Sequence, residues 1–241
     1  AETAQNGQPH HGSVPMLLEL DGITHSYRRE REEGSFTLGP IDLSFYSGEV
    51  VFLVGGNGSG KTTLAKLLSG LYAPESGDIR LNGITITDQL RDYYRQHFTA
   101  VFSDFFLFES FLGLAGPNLD AQASQYLRDL ELDHKVEIKD GRLSTTELSQ
   151  GQRKRLALLT AYLEDRPFYI FDEWASAQDP VFKPVFYNQI VPALRDRGKA
   201  VIVITHDDKY FHCADRLIKL DFGKPDYSEF ELEPVPVLIA S

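Results

Sequence analysis

The chain has 241 residues, and its 24 Lys and Arg against 35 Asp and Glu give a formal net charge of −11. This charge disfavours a protein that coats nucleic acid by neutralising phosphates, because such proteins carry an excess of positive charge. Its one cysteine, Cys213, cannot form an internal disulfide and no cluster of Cys and His offers a zinc site, so we expect a reduced, intracellular protein.

Residues 1 to about 15 are rich in Gln, Gly, His and Pro without periodicity, which is typical of a linker or a disordered lead-in. The chain begins with Ala and its only Met is Met16, so we expect it to be a piece of a longer protein. No stretch approaches the roughly 18 apolar residues that a bilayer-spanning helix needs, and the polar opening does not resemble a signal peptide.

From Met16 the chain changes to short apolar runs that are typical of β-strands. These runs are at 16–20, 41–45, 50–54 and 79–81. After Val54 a glycine-rich loop leads into leucines at helical spacing, and a turn at 74–77 ends the helix. The sequence therefore predicts a strand, a loop and a helix in succession from residue 50.

The loop after Val54 reads Gly-Gly-Asn-Gly-Ser-Gly-Lys-Thr and matches the phosphate-binding pattern GxxxxGK(S/T), the P-loop. Glycines let main-chain N–H groups surround anionic oxygens, and the helix N-terminus adds the positive end of its dipole. We expect Lys61 to reach the β- and γ-phosphates and the Thr62 hydroxyl to bind Mg²⁺. The candidate nucleotide-binding residues are Gly55, Gly56, Asn57, Gly58, Ser59, Gly60, Lys61, Thr62 and Thr63.

Between about residues 104 and 150 the pattern is mainly helical, with interruptions at 116–117 and 140–141, so we expect a helical subdomain inserted into the core. From Gly151 onward, helical stretches alternate with apolar runs at 168–171, 200–204 and 216–220. Such alternation predicts an α/β fold in which crossover helices join parallel strands.

Two of these apolar runs lead directly into residues with chemical function. The run at 168–171 ends in Asp172 and Glu173, and the run at 200–204 leads to Thr205 and His206. Ligands of open α/β folds bind at the carboxyl ends of the strands. We therefore expect Asp172 to hold Mg²⁺, Glu173 to polarise an attacking water and His206 to contact the γ-phosphate.

The segment Leu-Ser-Gln-Gly-Gln at 148–152, just before a helix, resembles the LSGGQ signature of ABC ATPases, with Gln150 at its third position. The order of P-loop, signature, Asp-Glu strand and His206 is similar to that family. Residues 176–179 stand where the family has its D-loop, and Tyr27 is similar to the aromatic residue that stacks on adenine. The resemblance covers about 16–222. It implies one ABC ATPase domain at 16–241, with a P-loop NTPase core, an antiparallel β subdomain and the inserted helical subdomain.

By this resemblance the site includes a second copy of the chain. Two ATPase domains are expected to pair head to tail, so that ATP and Mg²⁺ on the P-loop of one are capped by the signature of the other. The pair closes around ATP and reopens after hydrolysis. The residues that the resemblance places at the nucleotide are Ser149, Gly151, Gln152 and Asp179.

The resemblance to one subfamily is most specific in two segments, LSQGQRKRLALLTAYLEDRP and FDEWASAQDP. The most informative residue is Trp174, which directly follows Glu173. Together they resemble the ATPase half of bacterial exporters of cyclic peptides and siderophore peptides. This implies a motor ATPase at the cytoplasmic face of the inner membrane, whose partner is its own six-helix membrane region and not a nucleic acid.

Five phenylalanines stand at the entry to the helical region, at 102, 105, 106, 108 and 111. We expect some of them to line a groove that receives a loop of the membrane domain, which would leave an apolar patch exposed on this chain. For Phe102 and Phe111, a place in the subdomain core is an equal alternative.

One residue departs from the family pattern. Ser103 stands where the resemblance implies the Q-loop Gln, which helps to bind Mg²⁺. The hydroxyl of Ser is shorter than the side chain of Gln and reaches the metal only through a water or a shift of the loop. Ser103 is therefore a candidate metal ligand, and we expect Mg²⁺ binding to depend more on Thr62 and Asp172.

Two other functions stay open on the sequence. One is an ABC ATPase of DNA repair or translation. The acidic net charge argues against this function, and the stretch between Lys61 and Ser149 is too short to hold a long coiled coil. The other, motivated by Ser103, is a nucleotide-binding regulator that does not hydrolyse ATP. An ATPase assay with and without Mg²⁺ separates the regulator from the motor.

Overall fold

Two main sheets and a small hairpin make up the β structure of the computed structural model, which describes residues 15–28, 35–111, 113–114 and 118–226. The expected linker at residues 1–15 lies, except for Pro15, outside the described residues. In chain order the strands are β1 (Leu17–Arg28), β2 (Ser35–Tyr46), β3 (Val50–Val54), β4 (Ser76–Leu81), β5 (Ile84–Thr85), β6 (Phe98–Val101), β7 (Ile138–Lys139), β8 (Arg142–Leu143), β9 (Phe168–Asp172), β10 (Ala200–Ile204), β11 (Arg216–Asp221) and β12 (Lys224–Asp226).

The strands form the α/β architecture that the sequence predicts. The spatial order is β2-β1-β4-β5 in an antiparallel sheet and β12-β11-β3-β10-β9-β6 in a central sheet, while β7 and β8 pair by themselves. The central sheet is parallel except where β11 meets β12. The expected fold class, with its antiparallel β subdomain, is confirmed.

Helices cover the central sheet and connect its strands. They are α1 (Lys61–Leu68), α2 (Arg91–Arg95), α3 (Leu119–Asp129), α4 (Gln150–Glu164), α5 (Phe182–Val185) and α6 (Val191–Asp196). A π-helical stretch at Phe186–Ile190 joins α5 to α6. In the part of the chain that the structure describes, no helix has both the length and the apolar character that crossing a membrane requires.

The central sheet separates two apolar cores. Phe52 and Val54 of β3 face a core formed with α3, α4 and the helix at 182–196, whereas Val51 and Leu53 face a core shared by α1 and the antiparallel sheet. All five residues of β3 are buried, because a parallel strand that is covered on both faces is apolar throughout. The helix that follows the P-loop therefore packs in the same core as the antiparallel subdomain.

The segment expected to be mainly helical, residues 104–150, holds less helix than its sequence pattern predicts. Within its described part, α3 is the one helix before α4 begins, and the rest is irregular chain and the hairpin of β7 and β8. The Asp120 carboxylate accepts hydrogen bonds from the N–H groups of Asp140 at 2.7 Å and Gly141 at 2.9 Å, and so ties the hairpin turn to α3. This contact joins residues far apart in sequence, which a local helical pattern does not reveal.

Candidate active site

Three neighbouring strands of the central sheet end at one edge. Ile204 in β10 is in register with Leu53 in β3 on one side and with Asp172 in β9 on the other. The P-loop follows β3, Glu173 follows β9, and His206 lies two residues after β10. The structure thus brings the predicted phosphate loop, carboxylates and histidine together.

Two glycines of the P-loop are required by their surroundings. Gly55 has a φ of 139°, and a Cβ there would lie 2.2 Å from the main-chain O of Leu220. Gly60 has a φ of 105°, and a Cβ there would lie 2.7 Å from the Leu38 side chain. α1 begins at the next residue, with no acidic side chain in its first turn. The loop therefore presents main-chain N–H groups and the positive end of a helix to an anion.

Lys61 is buried and folds back onto the P-loop. Its Nζ donates to the main-chain O atoms of Gly55 at 2.8 Å and Gly56 at 2.9 Å. Burial lowers the pKa of this ammonium, and the carboxylates nearby oppose that shift. Ser59 Oγ is also buried, and it has no hydrogen-bond partner among the described residues. An anionic ligand would satisfy both groups, so the loop fits a nucleotide phosphate.

Thr62 and Asp172 stand side by side as oxygen donors. The Thr62 hydroxyl donates to Asp172 Oδ2 at 3.1 Å, and Asp172 is 1% exposed. Burial raises the pKa of Asp172, and the hydrogen bond from Thr62 opposes that shift. Mg²⁺ takes one or two protein oxygens and completes its shell with phosphate and water. The two oxygen donors of this pair therefore fit Mg²⁺ shared with a phosphate.

Three other predicted residues lie outside this pair. Ser103 is exposed in the turn after β6, and no hydrogen bond joins it to Thr62 or Asp172 within the described residues. Thr63 is buried in α1. Tyr27 lies in β1, where its main chain pairs with Phe36. Their roles at the nucleotide stay predictions.

Glu173 and His206 face each other at the edge of the sheet. His206 Nε2 lies 3.4 Å from Glu173 Oε1, and the two side chains are 47% and 40% exposed. Glu173 has a φ of 49°, in the left-handed region that non-glycine residues seldom adopt. Its N–H donates to the main-chain O of Ile204 at 3.1 Å, which fixes it to β10. An accessible carboxylate beside a histidine can polarise a water.

The signature begins α4 and packs on the D-loop segment of its own chain. Ser149 Oγ accepts from the N–H of Gln152 at 3.3 Å, and Gln152 Oε1 accepts from the N–H of Ser149 at 3.3 Å. Gly151 is required because a Cβ there would lie 2.7 Å from the main-chain O of Ala177. Gln178 Nε2 donates to the main-chain O of Gly151 at 3.1 Å. Ser149 is exposed, so the start of α4 faces solvent.

Asp179, expected at the nucleotide, is engaged within its own chain. Its carboxylate is paired with the buried Arg155, and its Oδ1 accepts from the N–H of Phe182 at 2.8 Å. That N–H hydrogen bond is the largest of the influences that lower the pKa of Asp179. Contact between Asp179 and a nucleotide stays a prediction that requires a second copy of the chain.

Lys154 has no predicted role, and the structure buries it beside the site. Its Nζ donates to the main-chain O of Glu173 at 2.8 Å. The signal was present, because Lys154 stands four and eight residues before Leu158 and Tyr162, which are also buried. At helical spacing these three residues share one face of α4.

The chain matches the protein-family model for the ABC transporter over residues 38–176. The ATP-binding protein SyrD of Pseudomonas syringae pv. syringae is 51% identical over 210 residues, which are 86% of this chain and 37% of SyrD. An ATP-dependent lipid A-core flippase of Alkalilimnicola ehrlichii is 33% identical over 234 residues, which are 90% of this chain and 39% of the flippase. The chain thus spans 37% to 39% of the length of these curated relatives.

Solved structures share the fold. A bacterial Atm1-family ABC exporter with ATP bound has a TM-score of 0.71 and 21% identity, covering 88% of this chain and 38% of the exporter. The ATP-binding cassette MJ0796, a dimer in a post-hydrolysis state with ADP and Pi, has a TM-score of 0.74 and 24% identity, covering 87% of this chain and 96% of the cassette. At these identities the likeness concerns the fold alone, and it agrees with the architecture described above.

Proposed function

The chain belongs to the ABC transporter family as one of its ATPase domains, and from this membership we propose that it is the motor of a bacterial exporter for a peptide or a siderophore precursor. The observation that carries the proposal is the cluster at the strand edge, where the P-loop and the Thr62–Asp172 pair lie beside Glu173 and His206. The identity of 51% with SyrD supports an exporter of that kind.

The geometry supports the following roles. The N–H groups of the P-loop and Lys61 face the phosphates of ATP. Thr62 and Asp172 would hold Mg²⁺, which neutralises phosphate charge when it is bound. Glu173 polarises a water that attacks the γ-phosphorus in line, so that the new P–O bond forms as the bond to ADP breaks. His206 orients the Glu173 carboxylate and contacts the γ-phosphate.

The site requires a second copy of the chain. Ser149, Gly151 and Gln152 lie at the exposed start of α4, where a helix N-terminus is available to an anion outside the chain. In a head-to-tail pair, this end of each copy caps the ATP on the P-loop of the other. Separation of the pair after hydrolysis then gives a movement that a membrane domain can use.

Mixing two inactive variants tests the shared site. Lys61→Ala removes the phosphate contact and Ser149→Arg blocks the signature, so we expect each variant alone to lose hydrolysis. A mixed pair has one intact site, made by the P-loop of the Ser149→Arg chain and the signature of the Lys61→Ala chain. An equal mixture should regain about a quarter of the wild-type rate, because half of the pairs are mixed and each has one working site. Phosphate release at fixed total protein measures this. If the mixture stays inactive although pairs form, or if Ser149→Arg alone is active, the shared site is wrong.

The phenylalanine cluster divides into buried and exposed members. Phe111 is 7% exposed and belongs to the core, whereas Phe106 is 73% and Phe108 57% exposed. These two rings pack edge to face at 4.9 Å. They line, with Phe105, Ala157 and Thr160, a groove of about 360 Å³ between β6 and α4. An exposed aromatic groove of this kind supports docking of a loop from a membrane domain, on the cytoplasmic side of the inner membrane.

Removing the exposed rings tests the docking. We expect Phe106→Ala with Phe108→Ala to leave the basal ATPase of the chain unchanged and to lower transport by the complete exporter about tenfold, since hot-spot aromatics carry most of the energy of an interface. Phe222→Ala is the matched control, because Phe222 is 86% exposed and lies in the turn between β11 and β12, outside the groove. The measurement is transport together with ATPase in membrane vesicles. Equal transport by the double variant and the control would remove the docking role.

A further inference from the structure

Lys154 is a buried lysine whose ammonium bonds to a main-chain carbonyl. It lies in the second turn of α4 and is 2% exposed. Its Nζ donates to the main-chain O of Glu173 at 2.8 Å, and within the described residues it lies in no ion pair. Burying an ammonium is unfavourable unless hydrogen bonds and nearby negative charge compensate. The compensating charges are Asp172 and Glu173, at the strand end that the ammonium contacts.

The carbonyl that Lys154 contacts belongs to a strained residue. Glu173 combines a φ of 49° with a ψ of 33°, a conformation that glycine adopts without strain and that costs energy for a residue with a Cβ. Its main-chain O also accepts from Ser176 Oγ at 2.6 Å, and its N–H is held by Ile204. The surroundings thus fix the Glu173 main chain on both sides, with α4 supplying the buried donor.

A second hydrogen bond runs in the opposite direction. Trp174 Nε1 donates to the main-chain O of Lys154 at 3.0 Å. Trp174 is fully buried and stacks on Phe186, with ring centroids 4.4 Å apart. The residues after β9 and the second turn of α4 therefore hold each other by two hydrogen bonds, of which the one from Trp174 is buried. Ser149, at the start of the same helix, lies just over one turn from Lys154.

We propose that Lys154 is a positioning residue that holds the main chain of Glu173 for catalysis and links this carboxylate to the signature. The inference rests on the proposed function, since Glu173 acts on the ATP of its own chain while the signature contacts the ATP of the partner copy. Lys154 then joins the two nucleotide sites of the pair. A shift of α4 as the signature engages one ATP changes the position of the carboxylate that polarises the attacking water at the other ATP.

Two substitutions in the full chain separate positioning from folding. Lys154→Met keeps the length and apolar stem of the side chain without a donor, and we expect kcat to fall about 30-fold while the Kd for ATP stays within about twofold. Lys154→Gln restores a neutral donor, and we expect it to recover a substantial part of kcat. Lys199→Met is the matched control, because Lys199 is also buried and donates to a main-chain carbonyl, that of Asp165, at 3.0 Å. It should lose thermal stability and keep kcat.

The outcomes are distinct. Wild-type kcat in Lys154→Met, a parallel loss of ATP binding, or an equal loss of kcat in Lys199→Met would each overturn the positioning role. If Lys154→Met does not fold, Trp174→Phe replaces it, since Phe keeps a ring in the core and removes the donor to Lys154. We expect that variant to lose kcat several-fold at unchanged Kd, and unchanged kcat would overturn the link. A wild-type chain without ATPase activity would instead defeat the proposed function.

Discussion

Replacing Glu173 with Gln is expected to lower ATP turnover by about a thousandfold, within the range that removal of a positioned general base produces. The amide keeps the size of the side chain, and the main-chain bonds that fix residue 173 do not involve the carboxylate. ATP binding through the P-loop should therefore be unchanged. On the proposed function the pair reopens only after hydrolysis, so we expect two Glu173→Gln chains to remain paired around ATP.

Two measurements check this result. Phosphate release gives the turnover rate, and size-exclusion chromatography with ATP and Mg²⁺ shows whether the variant elutes as a pair while the wild type elutes mainly as a single chain. Glu75→Gln is the control, because Glu75 is exposed and lies in the turn before β4, away from the strand edge. A turnover rate equal to that of the wild type would remove Glu173 from the catalytic role.

Trp174→Ala is expected to lower the free energy of unfolding by about 4 kcal/mol, a typical cost for truncating a buried aromatic side chain. Trp174 has no exposed surface, stacks on Phe186 at 4.4 Å and meets Phe171 and Phe182 at 6.4 and 6.2 Å. Truncation leaves a cavity among these rings and removes the donor to Lys154. For a chain of this length the loss corresponds to roughly 12 °C in Tm.

Urea unfolding without nucleotide measures this loss, so that changes in ATP binding do not contribute. Trp174→Phe should cost less than half as much, because a ring still fills most of the space. Phe222→Ala, which removes an exposed ring, should change the free energy of unfolding by less than about 0.5 kcal/mol. A cost below about 1 kcal/mol for Trp174→Ala would show that this core does not depend on the indole.

The parts of the fold and site that could be predicted depend on local signals. Val50–Val54, Phe168–Asp172 and Ala200–Ile204 are apolar runs that end in functional residues, so their sequence specifies both a buried strand and what stands at its end. The three ends meet as predicted because the strands are neighbours in a parallel sheet.

The parts that could not be predicted depend on contacts between distant segments. The turn between β7 and β8 is fixed by Asp120, which lies in α3. Phe106 is exposed and Phe111 is buried, although they are only five residues apart in the chain. Trp174 marks the resemblance to exporters in the sequence, but its burial against Phe186 arises only from the packed helices. The spacing of Lys154 with Leu158 and Tyr162 indicates a buried face of α4, but it does not indicate the bond from Lys154 to the main chain of Glu173.

Strand β3 gains both of its neighbours late in synthesis of the chain. Its neighbours in the sheet are β10 and β11, which come about 150 positions later in the chain. Synthesis proceeds from the N-terminus, so the P-loop leaves the ribosome well before the strands that flank it exist. Until then both edges of β3 are open and the loop lacks its support. The strands that support the P-loop are therefore complete only when synthesis has passed β11.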